Sequence, residues 1–162
     1  MPILINQYSF IIVSIAGLAL IGIFIWRVFN PALAISAVLV GILILSVVFI
    51  SVRRDEATVL TIEDFNVVLE SRRPLFIEFY SDYWVGCLAA KPEVDRLEKK
   101  LKDEVQVIRL NIANELGKQL KSRFNVGIVP GFVLVNAEGK EILKRTGKVP
   151  SLEKIIELVD SK

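Results

Sequence analysis

The sequence predicts a two-part protein: two transmembrane α-helices paired as a hairpin, then an α/β domain built on a mixed central sheet. Three observations predict it. Residues 1–54 hold two long apolar runs and only three charges, Arg27, Arg53 and Arg54. From residue 57 onward, strand-like and helix-like segments alternate, the pattern of a parallel sheet covered by helices. Near the end, two strand-like segments meet across Ala137-Glu138-Gly139-Lys140, a hairpin signal that adds antiparallel pairing. The expected division is an anchor over 1–54 and a domain over 55–162.

The first apolar run, Tyr8 to Trp26, has 19 residues, and the second, Ala32 to Val52, has 21. At a rise of ~1.5 Å per residue each spans roughly 28–32 Å, the thickness of a bilayer core. Arg27-Val28-Phe29-Asn30-Pro31 between them is long enough only for a turn, and Tyr8 and Trp26 suit the membrane interfaces. A cleaved signal peptide ending near Ala32-Leu33-Ala34 is the competing reading. The length of the first run and the lack of Lys or Arg before it argue against that. Small residues recur on both helices: Ser14, Gly17 and Gly22, then Ala34, Ala37 and Gly41. Ala37 and Gly41 form a small-xxx-small pair of the kind that lets helices approach closely. Neither run contains Asp, Glu, Lys, Arg or His, so no transport pathway is suggested. A hairpin leaves both its ends on one side, where Arg53 and Arg54 outnumber Arg27 at the turn, so the positive-inside rule predicts a cytoplasmic domain.

The domain begins with a short strand over Ala57–Leu60. A helix follows, with Thr61 as N-cap, Glu63 and Asp64 in its first turn, and Phe65, Val68 and Leu69 as its apolar face. Leu75–Tyr80 is a near-continuous apolar run and reads as a buried central strand. Val85–Lys102 carries Val94, Leu97 and Leu101 at helical spacing, with Pro92 set to kink it. Val105–Ile112 alternates as a strand, and Glu115–Phe124 is helical through Leu116 and Leu120. Gly131–Asn136 and Glu141–Thr146 are the hairpin strands, and Ser151 caps a last helix through Ile155, Ile156 and Val159.

Composition narrows the chemistry. One cysteine and no histidine exclude an intramolecular disulfide, a Cys/His zinc site and any Cys–His or Ser–His pair. No metal or cofactor is expected. From Asp55 onward, 17 basic residues face 18 acidic ones, a net −1, so no nucleic-acid surface is implied. Cys87 lies at a strand-to-helix turn, Phe79-Tyr80-Ser81-Asp82-Tyr83-Trp84-Val85-Gly86-Cys87, where unpaired N–H groups and the helix dipole favour thiolate.

This stretch resembles the thioredoxin family, whose pattern is an aromatic-rich strand, Trp-Cys-x-x-Cys and a proline five residues after the second cysteine. Cys87 and Pro92 then match the second cysteine and that proline, and Tyr83 the tryptophan. Trp84 falls where the resemblance places the first, nucleophilic cysteine. Arg123-Phe124-Asn125-Val126-Gly127-Ile128-Val129-Pro130 resembles the segment that ends in the family's cis-proline, and Gly147 the glycine after the last strand. The likeness covers residues 57–162. It implies that Glu78 is the family's buried acid, and that the backbone at Val129–Pro130 can pair with an extended peptide.

Two readings stay open at each key residue. Cys87 is either a reactive monothiol or a buried small hydrophobe. Trp84 is either a contact residue, beside Tyr83, or a plug over the old site. Glu78 is either buried, or pairs with a lysine or reaches solvent. Gly131, where the family often has threonine, is expected to leave the backbone more open. The functional expectation is a membrane-anchored, thioredoxin-like binding or assembly module without dithiol activity. The alternative is a monothiol redox protein using Cys87. The expected partners are membrane lipid and another membrane protein or complex, met through the Trp84/Pro130 face or the apolar helices.

Overall fold

A computed structural model describes residues 2–52, 61–101 and 104–161. The strand expected over 57–60 and the charged junction before it lie outside these residues. The chain folds as two compact units, Met1–Asp55 and Glu56–Lys162.

The first unit contains α1 (Pro2–Val28) and α2 (Pro31–Val52). Both are long and apolar enough to cross a membrane. The helix α1 extends past both ends of its apolar run, because helical structure needs no apolarity beyond the bilayer core. Asn30 makes the turn: its side-chain oxygen accepts the Leu33 N–H at 2.9 Å, and Pro31 starts α2 where a missing N–H costs nothing. The contact faces are spaced by three or four residues, through Ser14, Leu18, Gly22 and Ile25 on α1 and Ala34, Val38, Gly41 and Leu45 on α2. A Cβ on Gly41 would meet Leu18, and one on Gly22 would meet Val38. Small residues therefore set the approach of the two helices, with Gly41 as expected and Gly22 as its counterpart. Gly17 meets nothing.

The second unit runs α3 (Ile62–Glu70), β1 (Leu75–Tyr80), α4 (Val85–Leu101), β2 (Gln106–Asn111), α5 (Glu115–Arg123), β3 (Gly131–Val135), β4 (Glu141–Thr146) and α6 (Leu152–Asp160). Among the described residues the sheet order is β2-β1-β3-β4, parallel between β1 and β2 and antiparallel elsewhere. The capping box at Thr61 forms in full, with Thr61 and Asp64 each accepting the other's backbone N–H.

Strand alternation sorts the core into two layers. Leu75, Ile77 and Phe79 join Phe65, Leu116 and Leu120 on the α3/α5 face. Phe76, Phe132 and Leu134 join Val94, Leu97, Leu101 and Ile155 on the α4/α6 face, where Phe76 and Phe132 stack at 5.8 Å. All six β1 residues are buried, as a central strand with both faces covered requires. The hairpin strand β3 stops one residue short of expectation. The Asn136 side chain instead accepts the Glu138 and Lys140 N–H groups and shapes the turn.

Candidate functional site

The candidate site draws on the end of β1, the start of α4 and the loop before β3, whose Tyr80, Cys87 and Val129 share one core cluster. The chain leaves β1 through Ser81–Trp84. The Trp84 carbonyl opens α4 by accepting the Cys87 N–H at 2.9 Å and the Leu88 N–H at 3.1 Å. Asp82 is held across the end of the sheet by the Asn111 amide at 2.8 Å.

Cys87 is 1% exposed and belongs to the α3/α5-side core cluster. Its sulfur accepts the Ser81 backbone N–H at 3.4 Å. Further along α4, Ala90, Val94, Leu97 and Leu101 pack on the other face of the sheet. The helix continues through Pro92, which withholds one N–H from its ladder.

Trp84 is half-buried and packs against the same cluster. Its indole folds back over Gly86, so that a Cβ at Gly86 would collide with the indole nitrogen. Glycine at 86 is therefore what admits this indole position. The ring thus lies against the first turn of α4 at Gly86. Tyr83 beside it is also half-buried, and its N–H donates to the Ser81 hydroxyl at 3.3 Å.

The Val129–Pro130 peptide bond is cis, as the resemblance implies. Both residues are buried, but Ile128 before them is 58% exposed and Val85, at the start of α4, is 44% exposed. The Pro130 carbonyl accepts the Gly147 N–H at 2.8 Å, which ties the loop after β4 to this segment. Among the described residues, none takes up the N–H or C=O of Val129. Gly131 corrects an expectation. Its missing side chain does not open the backbone, because Val126 fills the space that a Cβ there would need.

Glu78 is fully buried on the α4 side of β1, so burial is the right reading, and the partner it meets is an arginine. It is in register with Arg109 on β2, and their side chains approach to 3.7 Å. Arg109 also binds Asp95 and Glu98 of α4, each at 2.6 Å, and Lys91 reaches Asp95 at 3.1 Å. One guanidinium thus gathers a buried carboxylate from the sheet and two carboxylates from the helix above it. Sequence reading missed Arg109. Its signal was a lone charge in the strand Val107-Ile108-Arg109-Leu110, but only the strand register pairs it with Glu78.

At Asp95, burial pushes the carboxyl up, but hydrogen bonds and charge from Arg109 and Lys91 outweigh it and hold the group below its ordinary value. A depressed folded value stabilises the fold above the unfolded value and loses that effect as pH falls through the folded one. Asp95→Asn should therefore lower stability at pH 7 by less than about 1 kcal/mol, since the group is partly exposed. The difference should fade below about pH 4. Denaturant midpoints of the two full-length proteins across pH would test this, and a difference that persists at about pH 2.5, well below the ordinary carboxylate range, would refute the assignment.

Comparison with known proteins agrees with this geometry. The thioredoxin family model matches residues 56–161. The thioredoxin-like protein HCF164, chloroplastic, of Arabidopsis thaliana is 32% identical over 86 residues, 53% of this chain and 33% of that protein. The thiol:disulfide interchange protein TxlA of Synechococcus elongatus is 28% identical over 86 residues, 53% of this chain and 45% of that protein. The stretch matched is thus between a third and a half of the length of these curated relatives. The X-ray structure of Fasciola hepatica thioredoxin superposes with a TM-score of 0.51 at 19% identity, covering 63% of this chain and 94% of that one. With the four-stranded mixed sheet, the cis Val129–Pro130 bond and a family match over nearly all of the second unit, this chain belongs to the thioredoxin family.

Proposed function

We propose that this protein is a membrane-anchored thioredoxin-fold module that holds extended polypeptide along Val129–Pro130 and runs no dithiol cycle. The observation that carries the reading is the pair of Val129 peptide groups, which no described residue takes up, next to the exposed side chain of Ile128. Extended loop backbone with its N–H and C=O left open accepts a partner strand through backbone hydrogen bonds, with side-chain contacts beside it. No thiol is needed for that. The TxlA relative is named for thiol:disulfide interchange, which points to a thiol redox-related setting for this module. In this chain the single cysteine is buried, and a tryptophan stands where the family's attacking cysteine is expected.

The apolar hairpin supplies the anchor, and a larger membrane complex is the natural setting for such a module. Both hairpin ends, with Arg53 and Arg54, would lie on the cytoplasmic side and the Arg27 turn on the other.

A second reading keeps Cys87 as a monothiol that exchanges with a partner thiol. What favours it is the place of the sulfur at the start of α4, with the Ser81 N–H directed at it. Full-length protein in nanodiscs, titrated with a panel of extended apolar peptides, would separate the two. Amide hydrogen exchange at Val129 should slow on binding. Ile128→Asp should weaken binding at least about tenfold, as expected for loss of a central apolar contact, while Cys87→Ser leaves it unchanged. If Cys87→Ser abolishes binding and Ile128→Asp does not, the monothiol reading replaces this one.

A further inference from the structure

Two cations, Arg145 and Lys148, flank the cis-proline segment from β4 and the loop after it. Asp82, the acid of the Ser81–Trp84 loop, is held by Asn111. The Gly147 N–H is bonded to the Pro130 carbonyl, so the next residue, Lys148, is tethered to the rim of the cis-proline segment. Lys148 is exposed. Among the described residues no carboxylate pairs with it, whereas Lys144 on the same strand-and-loop segment is held by Glu141 at 3.2 Å. Arg145, two residues before Gly147, is exposed as well. Consecutive Cα atoms lie ~3.8 Å apart, so a lysine beside Gly147 has the reach to meet a side chain of any strand laid along Val129.

We infer that the segment held at Val129 is acidic as well as apolar, with an Asp or Glu carboxylate placed to meet Lys148. This rests on the strand-holding reading above and adds partner selection to it. An unbalanced cation on a rim selects partners and sets encounter rate more than it adds affinity.

The test uses full-length protein in nanodiscs of neutral lipid and two synthetic peptides with one apolar core, flanked by Glu in one and Lys in the other. At low salt the Glu peptide should bind about two- to fivefold more tightly, the scale of an exposed charge pair. The preference should vanish in Lys148→Gln, reverse in Lys148→Glu and shrink at high salt as screening sets in. Val129 amide protection, read alongside, keeps the two ideas apart. If both peptides protect Val129 equally and the Lys148 variants do not discriminate, the acidic-partner inference is wrong and strand holding stands. If neither peptide protects Val129, strand holding fails and this inference fails with it.

Discussion

Replacing Arg109 with leucine should destabilise the domain by about 3–5 kcal/mol, the scale seen when one member of a buried ion pair is removed. Glu78 is fully buried, and its approach to Arg109 is within ion-pair distance. Leucine fills part of the guanidinium's volume but brings no positive charge, so the Glu78 carboxylate would sit in the core facing an apolar side chain. The same change releases Asp95 and Glu98, which crosslink α4 to β2. Those two are partly exposed, so their loss counts for less. The cost should therefore trace mainly to Glu78. The double variant Arg109→Leu/Glu78→Leu tests that, because a buried pair replaced by apolar residues is often neutral. Near-UV circular dichroism of the full-length protein in detergent, followed through denaturant unfolding, gives the comparison. A double variant as unstable as Arg109→Leu alone would show that the helix crosslinks matter more than the buried carboxylate.

Trp84→Cys should give this scaffold a dithiol that exchanges disulfides. The backbone is already set for it: Trp84 and Cys87 face each other across the first turn of α4, joined by the Cys87 N–H to Trp84 carbonyl bond. Residues so placed have Cα separations compatible with a disulfide. Removing the indole also clears the space that it now occupies beside Gly86. The new thiol, as its thiolate, would attack a partner disulfide, forming a mixed disulfide and releasing one partner thiolate. The Cys87 thiolate would then attack that mixed disulfide, releasing the second partner thiolate and closing an internal disulfide between Cys87 and the introduced cysteine. The partner is reduced by two electrons and the dithiol is oxidised by two. The parent protein cannot complete this sequence, since a lone thiol has no resolving partner in the chain. Insulin reduction driven by an external dithiol should rise clearly above the parent's background in Trp84→Cys, and fall back in Trp84→Cys/Cys87→Ser. A parent protein as active as Trp84→Cys would end the non-catalytic reading.

Much of this fold could be read in advance because local patterns and tertiary needs agree. The run Leu75–Tyr80 has to be a central strand, since only a strand covered on both faces can hide six such residues in succession. The two uncharged runs at the start have to be long helices, because only intrahelical bonds satisfy the backbone in so apolar a stretch. Cys87, Pro92 and Val129–Pro130 could be placed by their spacing within the family pattern. The composition alone also removed histidine chemistry and any internal disulfide.

Other features depend on distances between residues far apart in the chain. Strand register decides that Arg109 faces Glu78, and the span from 78 to 109 carries no sequence signal for that pairing. Trp84 turns inward rather than outward because Gly86 leaves room for the indole, a steric fact that becomes visible only when the side chain is placed. Gly131 looks like an opening in sequence, yet Val126 occupies the space, since closely packed interiors leave few such voids. Lys148 reads as one more surface lysine until the Gly147–Pro130 hydrogen bond ties it to the edge of the site. Sequence by itself determined the elements and their order, because those follow from local periodicity and burial. Tertiary structure alone decided which charges meet and which surfaces stay open, because those follow from packing across elements.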